Sequence, residues 1–254
     1  MRSLADMVCV IVGGAGGIGT AAARLFAEAG ARVVITHRPD PAGSTDKADA
    51  AADIVGRLEG GGHAAHPADV ADTTSLVALQ KYVDAAYRRC DILVNTAGFT
   101  KPVAHADLDA LDDALIDRMF LINWRGQFAT IRAFAPMLKA SGDGLIVSVS
   151  SIAGVSGLGS SIAYSATKAG IDVMTKSLAR ALAPEVRVLG VSPGVVETGF
   201  VPGRGAEFNA KTAATTPLKR VAQADDVAAA ILACATHLTF STGTTIVVDG
   251  GRSL

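Results

Sequence analysis

The chain has 254 residues, of which 50% are hydrophobic and 19% charged, with 23 Lys and Arg set against 24 Asp and Glu. This balance excludes a disordered chain and leaves no basic surplus for a nucleic-acid backbone; the length suits one large α/β domain spanning residues 1–254. Cys9, Cys90 and Cys234 are too far apart to form a CxxC pair or a disulfide framework, which points to the cytoplasm. Met7 to Val12 is too short for a signal-peptide core. No run reaches the ~18 apolar residues of a membrane span, so no membrane role is expected.

In chain order, the pattern predicts a strand at Val8–Val12, a helix at Ile18–Ala29 closed by Gly30, and a strand at Arg32–Thr36. A helix at Thr45–Leu58 and a weak strand at His63–His66 ending at Pro67 follow. Next come a helix at Thr73–Arg88, a strand at Ile92–Val94 and one long helix over Leu111–Ala140. The remainder reads as strand Gly144–Val149, helix Ser161–Ala183, strand Val186–Val191, helix Asp225–Ala235 and strand Thr245–Val248. The strand runs are apolar on both faces, as in a parallel sheet buried under helices. Alternation along the whole length predicts a doubly wound α/β domain. Pro39 to Ser44 and Pro202 to Gly205 read as exposed loops.

The first strand runs into Gly13-Gly14-Ala15-Gly16-Gly17-Ile18-Gly19-Thr20. Gly14, Gly16 and Gly19 fit GxGxxG, while Gly13, Gly17 and Gly19 fit GxxxGxG. Either spacing lets backbone approach a pyrophosphate closely at the N-terminus of a helix, where free N–H groups and the dipole favour an anion. A Walker A loop is excluded, because Thr20 stands where its Lys must be. Gly190-Val191-Ser192-Pro193-Gly194 has the spacing of a hydrolase nucleophile elbow, but Pro193 has no N–H to serve as oxyanion donor. His37, His63, His66, His105 and His237 form no ligand cluster, so no metal is expected.

Tyr164 and Lys168 are four residues apart on a predicted helix and share one face. A phenol of pKa ~10 needs tuning to act near neutral pH, and a nearby ammonium favours its ionised form. The pair therefore reads as a general acid/base with an electrostatic tuner.

The glycine loop, Asn95-Thr96-Ala97-Gly98, Ser151, Tyr164 with Lys168, Pro193-Gly194 and Asp249-Gly250-Gly251 together resemble the classical short-chain dehydrogenase/reductase family, in its oxoacyl-carrier-protein-reductase-like branch. The resemblance implies a single Rossmann-like domain with a parallel seven-stranded sheet in the order 3-2-1-4-5-6-7. It also implies reversible hydride transfer between a nicotinamide and a small-molecule carbonyl or secondary alcohol. Tyr164 would exchange the proton and Lys168 would also hold the nicotinamide ribose. Ser151, chosen over Ser148 and Ser150 by the family spacing, would hold the substrate oxygen. Asn123 would hold a water in a proton relay with the lysine. Gly13, Gly16, Gly17, Ile18 and Gly19 would cradle the pyrophosphate. Asp69 and Val70 would meet the adenine, with Asn95, Ala97 and Gly98 near its ribose. Pro193, Gly194, the Val196 backbone and Thr198 would contact the carboxamide, and residues 197–217 would form the substrate loop. One departure is Val12, where the family usually has a Thr whose hydroxyl ties the loop to a neighbouring strand.

At the end of the second strand, where an NAD-binding chain of this kind carries a carboxylate, stands His37, eighteen residues after Gly19. Arg38 follows and offers a guanidinium for a 2′-phosphate; Asp40, beyond Pro39, is the opposing sign. The balance favours NADP, with NAD as the alternative. Phe99, Val155, Leu158, Phe200 and Phe208 are candidates for an apolar substrate pocket. The helix at Ser161–Ala183 and the one before it are apolar nearly all round, which predicts a homo-oligomer, a dimer or tetramer. A non-catalytic dinucleotide-binding protein is the alternative on the same fold; the presence of both Tyr164 and Lys168 speaks against it.

Overall fold

The computed structural model describes residues 2–254. Seven parallel strands form one sheet: β1 (Val8–Val12), β2 (Arg32–His37), β3 (Ala64–Pro67), β4 (Ile92–Asn95), β5 (Gly144–Val149), β6 (Val186–Pro193) and β7 (Thr245–Val248). Their order is β3-β2-β1-β4-β5-β6-β7, as expected. Alternate residues of β1 go to opposite faces. Cys9 and Ile11 join Phe26, Val33, Ile35, Val227 and Ile231 on one side. Val8, Val10 and Val12 join Leu79, Phe134, Ile146 and Ile171 on the other. Both faces are covered, so both sets of alternate positions must be apolar, and the strand reads as an unbroken hydrophobic run.

Helices α1 (Gly17–Glu28), α2 (Asp46–Gly56) and α9 (Ala224–Thr236) cover the first face. Helices α3 (Thr73–Tyr87), α5 (Gly126–Ala140) and α7 (Ile162–Leu182) cover the second. Their ends carry local signals. Asp72 accepts from Thr74 N at the start of α3, Ser161 accepts from Tyr164 N at the start of α7, and Gln223 with Asp226 forms a capping box on α9. Among the described residues, no helix is long and apolar enough to cross a membrane.

Three expectations need correction. The long helix over Leu111–Ala140 is two helices, α4 (Asp113–Phe120) and α5, joined by a π-helical turn at Leu121–Arg125. One extra residue in the turn does not interrupt an apolar run, so periodicity missed it. A Cβ added at Gly126 would lie 2.7 Å from the Val70 carbonyl oxygen, so glycine lets α5 start hard against the loop after β3. Within the expected substrate loop, Ala206–Thr215 forms a helix, α8, and a short helix α6 (Ala153–Ser156) follows β5. Finally, β3 lies one residue later than expected, because Pro67 continues the register opposite His37.

Candidate active site

The winding reverses between β1 and β4. The chain leaves β1 through α1 on one face and leaves β4 through α4 and α5 on the other, so a crevice opens above the carboxyl ends of these strands. A cleft of ≈ 620 Å³ occupies it, lined among others by Gly13, Gly16, Arg38, Asp69, Val70 and Ala97. Gly13 has φ +84°, and a Cβ there would lie 2.6 Å from Ala97 N; a Cβ on Gly19 would collide with the Gly13 carbonyl oxygen. No side chain caps the start of α1 and no acidic residue lies in its first turn. The orphan N–H groups and positive dipole end therefore face the cleft uncompensated, and the cradle fits a pyrophosphate.

The hydroxyl expected at Val12 is supplied from the neighbouring strand. Thr36 Oγ1 accepts from Gly13 N at 2.9 Å, and the Thr36 carbonyl accepts from Ala15 N at 3.2 Å. Because Ile11 pairs with Ile35, Thr36 stands beside Val12.

At the adenosine end, His37 is buried and its Nδ1 bonds the Arg38 carbonyl at 2.9 Å. Asp40 is turned away from the cleft into the start of α2, accepting from Lys47 N and Ala48 N, both at 2.9 Å. The Lys47 N–H is the main influence holding its carboxyl below the usual range. Arg38 and Lys47 both line the cleft, which puts two cations and no unengaged carboxylate from this segment beside it. Sequence reasoning missed Lys47, whose signal was its position in the first turn of the helix after β2. Asp69 Oδ1 accepts from Ala71 N at 2.8 Å and its side chain borders the cleft. Asn95 does not line it: the residue is fully buried and its amide donates to Ser148 Oγ at 3.5 Å. Gly17 instead packs on Thr198, whose Cγ2 lies 2.8 Å from where a Cβ would be.

A smaller cavity of ≈ 130 Å³ continues inward. It is lined by Ser151, Tyr164 and Lys168 together with Ile18, Gly98, Pro193, Gly194, Val196 and Thr198. Ser150 Oγ donates to the Lys168 carbonyl at 3.1 Å and Ser148 meets Asn95, so Ser151 is the serine that faces the phenol. Burial pushes the Tyr164 phenol up to about 12; the Ser151 hydroxyl and the Arg204 charge act in the opposite sense. Burial pulls Lys168 down to about 8, with Asp172 partly restoring it. Lys168 Nζ donates to the Val149 carbonyl at 2.8 Å and stands 5.6 Å from the Tyr164 ring centroid. The phenol's net shift is upward rather than the expected lowering, because burial outweighs the opposing influences.

Asn123 lies in the π turn and is fully buried. Its Oδ1 accepts from Phe99 N at 2.7 Å, and its Nδ2 donates to the Phe99 carbonyl at 2.9 Å and to Thr167 Oγ1 at 3.2 Å. Both amide N–H groups are thus engaged by protein, pinning the segment after β4 against α7 one residue before Lys168. Of the apolar candidates, Leu158 and Phe200 line the inner cavity and Phe99 lines the outer cleft. Val155 is 84% exposed and lines neither cavity. His63 and His66 bond backbone groups through their ring nitrogens. Ser192 of the elbow-like sequence is buried in β6 with its hydroxyl unpartnered.

Residues 13–253 match the family described as enoyl-(acyl carrier protein) reductase. The chain is 38% identical over 254 residues to the cis-4-hydroxycyclohexanecarboxylate dehydrogenase of Sinomonas cyclohexanicum, covering 98% of each chain. It is 33% identical to the 3-oxoacyl-(acyl-carrier-protein) reductase of Thermotoga maritima, again covering 98% of each. The chain belongs to the short-chain dehydrogenase/reductase family. Among solved structures of such oxidoreductases, the 3-ketoacyl-(acyl-carrier-protein) reductase of Brucella melitensis, complexed with NADH, superposes with a TM-score of 0.86 at 31% identity. That match covers 99% of this chain and 100% of the other. The family binds NAD(P)H and acts on small molecules.

Proposed function

We propose that this oxidoreductase interconverts a carbonyl and a secondary alcohol with Tyr164 as general acid/base and NADPH as the preferred cofactor. The observation that carries the reading is the meeting of Ser151, Tyr164 and Lys168 around one small cavity that opens onto the dinucleotide cleft. A nicotinamide held in the cleft would supply or accept the hydride at the reacting carbon. In reduction, Ser151 Oγ holds the carbonyl oxygen and Tyr164 delivers its proton there, leaving the hydroxyl of the product. Lys168, buried beside the phenol, returns a proton to Tyr164; in oxidation the same groups take the proton away. Asn123 acts on this chain by fixing the position of Thr167 and Phe99.

NADPH is supported by Arg38 and Lys47 beside the cleft and by the engagement of Asp40 within α2. A carboxylate free to accept from the ribose hydroxyls would repel a 2′-phosphate, whereas a guanidinium clamps it. A homo-oligomer is supported by apolar side chains left exposed on α4 and α7, Phe120 at 41% and Val173 at 62%. Three buried free thiols, Cys9, Cys90 and Cys234, support the cytoplasm as its compartment.

Tyr164→Phe is expected to lower turnover by roughly 10²–10⁴ while leaving NADPH affinity within about twofold. Rates within about tenfold of the wild type, in a ketone and alcohol panel, would remove the phenol from the reaction. The pH profile has a definite sign. The buried pair loses its first proton near the value of about 8 that Lys168 carries. Hence kcat/KM for alcohol oxidation rises as pH approaches that value and levels above it, and kcat/KM for reduction is level below it and falls above. In Lys168→Met the inflection leaves the neutral range. A wild-type profile without an inflection between about pH 6 and 10 contradicts this.

For the cofactor, the ratio of kcat/KM for NADPH over NADH is expected to exceed one and to drop about tenfold or more in Arg38→Ala, with a smaller drop in Lys47→Ala. A wild type that prefers NADH, or an Arg38→Ala variant with its ratio unchanged, defeats the assignment. Light scattering at micromolar concentration is expected to give a dimer or tetramer mass; a clean monomer rejects the assembly.

A further inference from the structure

The inner cavity carries more positive charge than proton transfer requires. Arg204, from the loop between β6 and α8, and Arg252, from the tail after β7, both line it, and no Asp or Glu does. Arg252 is fixed by α8, its Nη1 donating to Thr215 Oγ1 at 3.1 Å. Arg204 is half-buried and lies over the Phe208 ring, with its Cζ 4.5 Å from the centroid. The ring holds one face of the guanidinium and leaves the N–H edge free. Among the described residues, no carboxylate forms an ion pair with Arg204.

This arrangement is unfavourable as it stands. Burial holds the Arg204 pKa below its ordinary value; Tyr164 acts against that, and the like charge of Arg252 adds to it. A half-buried cation beside a second one, with no counter-ion, is relieved by an anion. The outer cleft that Gly13, Gly16 and Arg38 line includes neither Arg204 nor Arg252. The inner cavity is small, ≈ 130 Å³, and is bordered by Ser151 and Tyr164, so an anion that meets Arg204 there lies near the reacting groups.

We propose that Arg204, backed by Arg252, binds a carboxylate on the substrate, making this an oxidoreductase of short hydroxy- and oxo-carboxylates rather than of neutral alcohols and ketones. The inference rests on the reading of Tyr164 as the proton donor in this cavity. Tyr164 and Ser151 fix the reacting oxygen at one end. Arg204 fixes the acid group at the other, so the span between them selects the carbon that is presented to the nicotinamide.

The test uses levulinate and oxocyclohexanecarboxylate, each against its own methyl ester, with the wild type and with Arg204→Met, which keeps an unbranched side chain and removes the charge. In the wild type, kcat/KM is expected to favour the acid over its ester by about tenfold or more, mainly through KM, and in Arg204→Met the ratio is expected to fall toward one. Arg204→Lys is expected to restore part of it. Calorimetric titration of the same acids and esters into the NADP⁺-loaded protein reads the anion site without turnover, with the acid binding tighter. Equal binding of acid and ester, or equal kcat/KM, overturns the proposal. So does a large loss of NADPH affinity in Arg204→Met, which would make the guanidinium a ligand of the cofactor. Turnover that survives Tyr164→Phe strikes the underlying reading instead, so the two failures are distinguishable.

Discussion

The site depends on one topological constraint: β1 and β4 are neighbours, but their connections leave to opposite faces of the sheet. Two right-handed crossovers diverging from adjacent strands cannot both cover the space above them, and the crevice between is a direct consequence. Many of the buried polar side chains, among them Thr36, Asn123, Ser151 and Lys168, gather around that gap. The glycine loop can enter it because Gly13 and Gly19 present no Cβ to Ala97 and to Gly13, and Thr36 holds the loop there through the Gly13 N–H. On the far side Asn123 performs the matching task, tying Phe99 to α7 with all of its amide hydrogens. The two walls are thus fixed by buried hydrogen bonds, each costly to break because neither partner has water to turn to.

Burial then sets the chemistry. Lys168 is almost fully enclosed, and desolvation, more than any neighbouring charge, brings its amine near neutrality. The same burial raises Tyr164. The two shifts diverge: from ordinary values close to one another, the phenol rises to about 12 and the ammonium falls to about 8, so the lysine gives up its proton first and the phenol stays protonated, ready to donate. An i, i+4 pair in water, at ~10 and ~10.4, would keep both protons near pH 7. Burial brings only the lysine toward that range, and the Val149 carbonyl, which accepts from the amine, fixes its place under the strand end.

The sheet was legible in the sequence because both faces are buried, and a two-sided apolar strand has no other economical reading. The order of the strands and the grouping of Ser151, Tyr164 and Lys168 came from the ordered motifs rather than from periodicity. What escaped notice has a common cause. The π turn at Leu121–Arg125 adds one residue to a continuous apolar run, and its only local marks are Asn123 and Gly126, each explained by a partner distant in sequence, Phe99 and Val70. α8 has a single buried residue, Thr212, so Ala206–Thr215 carries little of the apolar stripe that announces a helix. Thr36 looked like an ordinary strand end until its register beside Val12 was known. Asp40 looked like a rival ribose ligand, since spacing along the chain cannot tell that its carboxylate caps the first turn of α2.

The same distinction separates the two ends of the active site. The residues proposed for proton transfer, Ser151, Tyr164 and Lys168, come from the end of β5 and from α7, elements whose positions the core dictates. Phe200, Arg204 and Arg252, which also line the inner cavity, come from the segments after β6 and β7, with Arg252 held by Thr215 of α8 and the Phe200 ring centroid 6.2 Å from that of Tyr164. A loop with few core contacts can change its side chains without disturbing the sheet. Reaction type is therefore anchored where substitution is expensive, and substrate choice where it is cheap. The half-buried guanidinium of Arg204 lies in that second region, over the Phe208 ring and with no carboxylate paired to it among the described residues.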